Sequence, residues 1–414
     1  MLLLSMAVMP FSPAASAGEP VVSADVARMH DRLVTLDSHL DTPASLAIGG
    51  WSIGEAHEVS RDYTQVDRPR MEKGGLDGGF WTIYTPQGPL DVDHYRRMRD
   101  FAVMRGMAIR EMVAADPAHF ALATRSTDAL PIAAQGKRIV YMSIENAYPL
   151  GEDISLLTLF HAMGVRLAGF AHFRNNQFAD SSTDPDGERW GGLSPLGVEL
   201  LGEMNRLGIV PDASHSSDKV LDDLLRLSAT PVLLSHSGCK AIYDHPRNID
   251  DDHLRALAAR GGVIQINSYG GYLRAIRPSP ERDKALKALS AEFGNDEAGM
   301  TAERHSALAA RRQEIDRLYP LTDRATFDDF MKHLLHALEV AGPDHVGIGM
   351  DWDGGGGVVG LEDVVDLPKI TAALLAAGYS EKDIAMIWSG NVLRVLAEAE
   401  AAASEATTSE AAGQ

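Results

Sequence analysis

A single cysteine, Cys239, occurs in 414 residues. No intrachain disulfide can form, and a thiolate-bound metal site has no ligands. Cationic side chains are also scarce, 38 Lys and Arg against 58 Asp and Glu, which leaves a formal net charge of −20. Such a surface is unsuited to nucleic acid or an anionic membrane. Beyond the N-terminus no apolar run reaches the length of a membrane span. No Gly-rich phosphate fingerprint follows the first strand-like segment, which weighs against a dinucleotide-binding open sheet. The remaining composition, 45% hydrophobic and 23% charged, is that of a globular chain, either one big α/β domain or two smaller ones.

The two ends differ from the middle. "MLLLSMAVMPFSPAASAGEP" contains a short apolar stretch, then Pro10, then a small-x-small cleavage pattern at Ala15-Ser16-Ala17. Residues 1–17 are expected to be a signal peptide, although no Lys or Arg precedes the apolar stretch, and export to a bacterial periplasm would follow. The last stretch, "EAEAAASEATTSEAAGQ", is low-complexity and polar, so a disordered tail is expected over 401–414.

Between these ends, strand-like runs alternate with amphipathic stretches. "RLVTLDSH", "GGFWTIYTP", "RIVYMSIEN", "VRLAGFAHF", "GIVPDASHS", "PVLLSHSG", "GGVIQINSYG" and "HVGIGMDWDG" read as strands. "DHYRRMRDFAVMRGMAIREM" and "SDKVLDDLLRLS" are among the helical segments between them. Repeated strand–helix alternation predicts a closed (β/α)8 TIM-like barrel over residues 25–400, with a doubly wound sheet as the alternative. One charged, helix-prone insertion, residues 275–325, breaks the rhythm after the seventh strand. An insertion there lies at the barrel mouth, where it would serve as a lid, a homodimer contact or a solvated excursion.

Polar residues gather at the strand ends. The first strand carries His39 and Asp41, two apart and so on one face. The third ends in Glu145, the fourth in His172, the fifth in His215, the sixth in His236 and the eighth in Asp351. Singly, each has an ordinary explanation as a cap or a hydrogen-bonded core residue. All of these ends meet at one mouth in a barrel, and their joint placement there points to metal chemistry. A carboxylate can give one oxygen to each of two ions. Glu145 is therefore expected to bridge, with His39 and Asp41 on one ion and His215 and His236 on the other. Imidazole and carboxylate without thiolate suit two Zn2+, and Mn2+ or Co2+ would also fit. Asp37 shares the face of His39 and is expected to make polar contacts below the site.

With these residues identified, the chain resembles the membrane (renal) dipeptidase family, peptidase family M19, among the amidohydrolase-like barrels. "LDSHLDTP", "SIENAYP", "AHFRNNQFAD", "GLSPLGVELLGEMNRLGIVPDASH", "RNIDDD" and "HVGIGMDWDG" carry the resemblance. It implies a binuclear zinc metallopeptidase that cleaves dipeptides, including those with a C-terminal D-residue. His39, Asp41, Glu145, His215 and His236 match the family's ligands. His172 resembles the residue that contacts the scissile carbonyl, Asp351 the proton shuttle, and Arg247 the holder of the substrate carboxylate. Tyr269 is implied to line the pocket. The implied step is attack by a hydroxide shared between two ions, with Asp351 taking the proton. A related barrel hydrolase acting on a lactone, cyclic amide or N-acyl amino acid is the competing expectation. Leu40 stands where the family often has Asn, a change expected to leave the ligands intact and to alter pocket polarity.

Overall fold

The structure is a computed structural model that describes residues 20–293 and 301–413. The expected signal peptide, 1–17, lies outside the described residues. Among the described residues ten strands form: β1 (Leu36–Leu40), β2 (Gly78–Ile83), β3 (Phe120–Leu122), β4 (Arg138–Ile144), β5 (Val165–Gly169), β6 (Val210–Asp212), β7 (Leu233–Cys239), β8 (Asn248–Ile249), β9 (Val263–Ile266) and β10 (Val346–Ile348). Eight of them pair in parallel in the order β1-β2-β4-β5-β6-β7-β9-β10, and a bridge between Leu40 and Trp352 brings the two outer members together. These eight coincide with the eight runs read from the sequence, so the barrel is the architecture. The other two strands were not anticipated. β3 pairs with the start of β4, while β8 pairs with the end of β7 through Gly238–Asn248 and Cys239–Ile249. Two or three residues leave no periodic signal to read.

Burial on both faces explains the apolar strands. Outside the barrel, Leu40, Trp81, Met142, Ile144, Ile264 and Ile348 share one core with helix residues such as Phe160, Leu200 and Phe330. At the other end, Leu36, Phe80, Tyr141, Leu167, Val210, Leu233 and Val263 form a second core. Val392, Val395, Leu396 and Ala399 of the last helix plug that end. This helix runs Asn391–Gly413, so the segment expected to lack structure, 401–414, continues it as far as Gly413. Alanine and glutamate, which made the tail look low-complexity, are also strong helix formers. Among the described residues no helix is long and apolar enough to cross a membrane.

Helices Pro280–Phe293 and Ala302–Leu318 make up most of the insertion. They share a small core of their own, Leu289, Phe293 and Ile315. Polar contacts tie the second helix to the loop after β1: Gln313 donates to the carbonyls of Ser60 and Arg61 (3.0 and 2.8 Å), and Tyr63 donates to Asp316 (2.7 Å). A cavity of about 300 Å3 lies between them, lined by Tyr63, His305, Arg312 and Asp353 among others.

Candidate metal centre

Local backbone geometry delivers each strand-end side chain. Asp37, fully buried, accepts hydrogen bonds from the backbone N–H groups of His39 (2.9 Å) and Met350 (3.1 Å), which fixes the end of β1 against the end of β10. Burial pushes its carboxyl up to about 7, against the pull of those two N–H groups. His215 and Asp351 sit at φ of 67° and 64°, left-handed values that non-glycine residues rarely hold. Strain of this kind costs on the order of 1–3 kcal/mol and persists where the surroundings enforce it. Here it turns both side chains into the mouth.

Four imidazoles converge on one carboxylate oxygen. Oε1 of Glu145 lies 3.2 Å from Nε2 of His172, 3.3 Å from that of His215, 3.7 Å from that of His39 and 3.8 Å from that of His236. The His215 and His236 Nε2 atoms are 2.8 Å apart. The same Nε2 of His39 also faces Asp41 Oδ2 at 3.5 Å and Asp351 Oδ1 at 4.0 Å. Ligand-capable atoms fall into three close groups: His39, Glu145 and His236; Glu145, His172 and His215; and His39, Asp41 and Asp351. All seven strand-end residues are thus brought together, with Glu145 common to two groups and His39 to two. The groups divide them differently from the expected pairs of ligand sets, since His236 sits with His39, and His172 joins His215.

The electrostatics favour a cation. Burial opposes charge on His39, yet Asp41, Glu145 and Asp351 together raise its pKa to about 10. Burial holds His215 and His236 well below the usual imidazole range, so both stay neutral with lone pairs to offer. Glu145 resists burial because the facing histidines, His172 foremost, keep its carboxyl well below its ordinary value. Asp351 behaves oppositely: burial, joined by Asp41 and Glu145, holds its carboxyl well above the carboxylate range despite His39. His39 Nε2 and Asp41 Oδ1 are buried with no hydrogen-bond partner. Orphaned buried polar atoms are costly. A divalent ion is the chemistry that would satisfy them, and the donor set fits one.

Arg247 reaches the same mouth through β8. The pairing beside Gly238 carries its side chain to β7, where Nη2 donates to the His236 carbonyl (2.8 Å) and Nη1 to Ser237 Oγ (3.4 Å). Arg247 as a whole is 2% exposed; its guanidinium lies 5.2 Å from the centre of the Tyr272 ring and has an unpartnered Nε. Among the described residues no carboxylate pairs with it. Tyr269, more than a third exposed, stands at the rim, its ring 4.4 Å from that of Tyr272.

Three aromatic neighbours went unnoticed in the sequence. Tyr84 ends the second barrel strand with its ring 5.2 Å from His172, and exposed Phe173 lies 3.8 Å from the same ring. Tyr272 is the third. Strands two and seven were the pair without a histidine or carboxylate at their ends; Tyr84 directly follows the first of these, and Tyr272 lies in the short helix Gly270–Leu273 after the second. Leu40 is fully buried and packs in the outer core.

A parallel barrel with histidines and carboxylates converging at its strand ends defines the class of metal-dependent barrel hydrolases. Within that class the chain belongs to the membrane dipeptidase family, peptidase family M19, whose model matches residues 23–410. It is similar to the dipeptidase tcpJ of Claviceps purpurea, 32% identical over 341 residues that cover 81% of this chain and 69% of that protein. The dipeptidase aclJ of Aspergillus oryzae is 30% identical over 344 residues, 82% of this chain and 71% of that one. The probable dipeptidase PvdM from Pseudomonas aeruginosa aligns with a TM-score of 0.76 at 31% identity, covering 92% of this chain and 99% of that chain.

Proposed function

We propose that the protein hydrolyses dipeptides, including those ending in a D-residue, at a centre of two zinc-class ions. The observation that carries this reading is the convergence of seven ligand-capable side chains around Glu145 and His39, with buried His39 and Asp41 atoms that lack a hydrogen-bond partner. His39, Asp41, Glu145, His215 and His236 would hold the ions, with Glu145 shared. Bound divalent cations supply Lewis acidity and make a water nucleophilic near neutral pH.

The remaining steps belong to this chain's own groups. Asp351, whose carboxyl burial keeps protonatable, takes the proton from the attacking water at Oδ1 and returns it to the leaving amine. His172 Nε2 donates toward the oxyanion that develops on the scissile carbonyl. Arg247 meets the terminal carboxylate. A guanidinium buried without a counter-ion is costly, and a substrate anion would relieve that cost.

Metal-replete protein assayed against dipeptides, their amides, tripeptides, a lactone and an N-acyl amino acid tests the reading. Free dipeptides are expected to turn over fastest, and chelation should abolish the activity. Preference for the lactone or N-acyl amino acid over every dipeptide would overturn it.

A further inference from the structure

Beyond the ligands themselves, we propose that Ser235 fixes the ring tautomer of His236, relaying a hydrogen bond from the buried carboxylate of Asp212. This rests on the metal-centre reading above and assigns a positioning residue within it. Asp212, at the end of β6, is 2% exposed. Its Oδ1 accepts from the backbone N–H groups of Ser214 and Ser235, both at 2.9 Å, and its Oδ2 accepts from Ser235 Oγ at 2.5 Å. A hydroxyl has one proton to give. The other acceptor in reach, Ser214 Oγ, is 3.4 Å away, too far to compete with the carboxylate.

With that proton committed to Asp212, Ser235 Oγ can only accept from its next neighbour. That neighbour is His236 Nδ1, at 2.8 Å. Nδ1 must therefore carry the hydrogen, and Nε2 keeps its lone pair. Nε2 is the atom that faces Glu145 and His215. Ligating histidines commonly have the second nitrogen tied to a carboxylate, carbonyl or water. Here a serine stands between imidazole and carboxylate. His215 has no such device, since its Nδ1 is buried with no partner. Ser235 also lies one residue before His236 on β7, whose own backbone N–H donates to Ser214 Oγ at 3.0 Å, so ring and main chain are held together.

Three substitutions test the relay: Ser235→Ala, Ser235→Val and Ser235→Thr. Valine and threonine match in size and differ in the hydroxyl. Each full-length protein, stripped of metal, would be titrated with Zn2+ against a chromogenic chelator and with Co2+ by visible absorption, and the melting of the metal-free form recorded. Ser235→Thr should bind as wild type does. Ser235→Ala and Ser235→Val should bind one of the two ions roughly 10- to 100-fold more weakly and change the Co2+ spectrum, leaving the other ion's affinity unchanged. Should valine prevent folding, the alanine protein decides against wild type. Wild-type affinity in the alanine or valine protein, with wild type itself binding two ions, refutes the relay alone. Equal weakening by threonine and valine also refutes it, since the added methyl would then be the cause. A wild type that takes up no metal overturns the relay together with the reading of the centre.

Discussion

Replacing Arg247 with alanine separates two roles that its position combines. The guanidinium braces the site through the His236 carbonyl and Ser237 Oγ. Loss of the carbonyl contact alone should cost about 1.5–3 kcal/mol, because the donor is charged, and it should slow every substrate alike. The second role concerns the buried charge, with which no carboxylate among the described residues forms an ion pair. A dipeptide brings its terminal carboxylate one residue beyond the scissile bond; its amide brings none. Losing that charge-assisted pair should cost on the order of 2–4 kcal/mol, roughly 30- to 1,000-fold in kcat/KM. The assay is therefore a double comparison, free dipeptide against its amide, in wild type and in Arg247→Ala, at matched metal content. Wild type should prefer the free acid strongly, and the variant should lose most of that preference on top of a general slowing. An unchanged acid-to-amide ratio would refute the reasoning and leave Arg247 as a brace.

Metal content after dialysis should fall further in Glu145→Ala than in Asp41→Ala, because Glu145 belongs to two ligand groups and Asp41 to one; elemental analysis reads the difference. Asp351→Asn keeps the side chain's size and removes the base, so metal should stay bound while kcat drops by roughly 10²–10⁴ in a steady-state assay. His333 provides a pH test away from the mouth. Its Nδ1 accepts from the Cys239 backbone N–H and its Nε2 donates to the Leu273 carbonyl, and burial lowers its pKa to about 4 from 6.5. A lowered value means that its contribution is fully present above pH 6.5 and is lost as the pH falls through 4. The loss should approach roughly 3 kcal/mol. Denaturant unfolding of metal-free wild type and His333→Gln across that window should show the variant with the shallower decline.

The eight barrel strands were legible because each carries its own apolar run between turn signals. The candidate ligands that the fold brings together were legible because histidine and carboxylate stand out at the ends of such runs. Other parts depended on contacts between segments far apart in sequence. Arg247 looked like a solvated loop residue until β8 paired with β7 and carried it inward. Nothing in the local sequence distinguishes Tyr84 and Tyr272 from tyrosines of the core. The division of ligands among the groups depends on ring orientations, which spacing along the chain does not encode. Nor does composition separate a polar tail from a helix: alanine and glutamate serve both.

The barrel's seam passes through the reactive centre. The Asp41 backbone N–H donates to the Trp352 carbonyl at 2.9 Å, and the Asp37 carboxylate holds the Met350 N–H from 313 residues away in sequence. The residues that close the cylinder are thus immediate neighbours of a candidate ligand and of the candidate proton carrier. Until β10 is in place, β1 has a partner along one edge alone, and Asp351 has no fixed position relative to His39. A growing chain would hold most of the candidate ligands well before it could use them. Chemical competence would arrive as a late, all-or-none consequence of closure, and any lesion that loosens this seam would silence the enzyme while most of its barrel stayed folded.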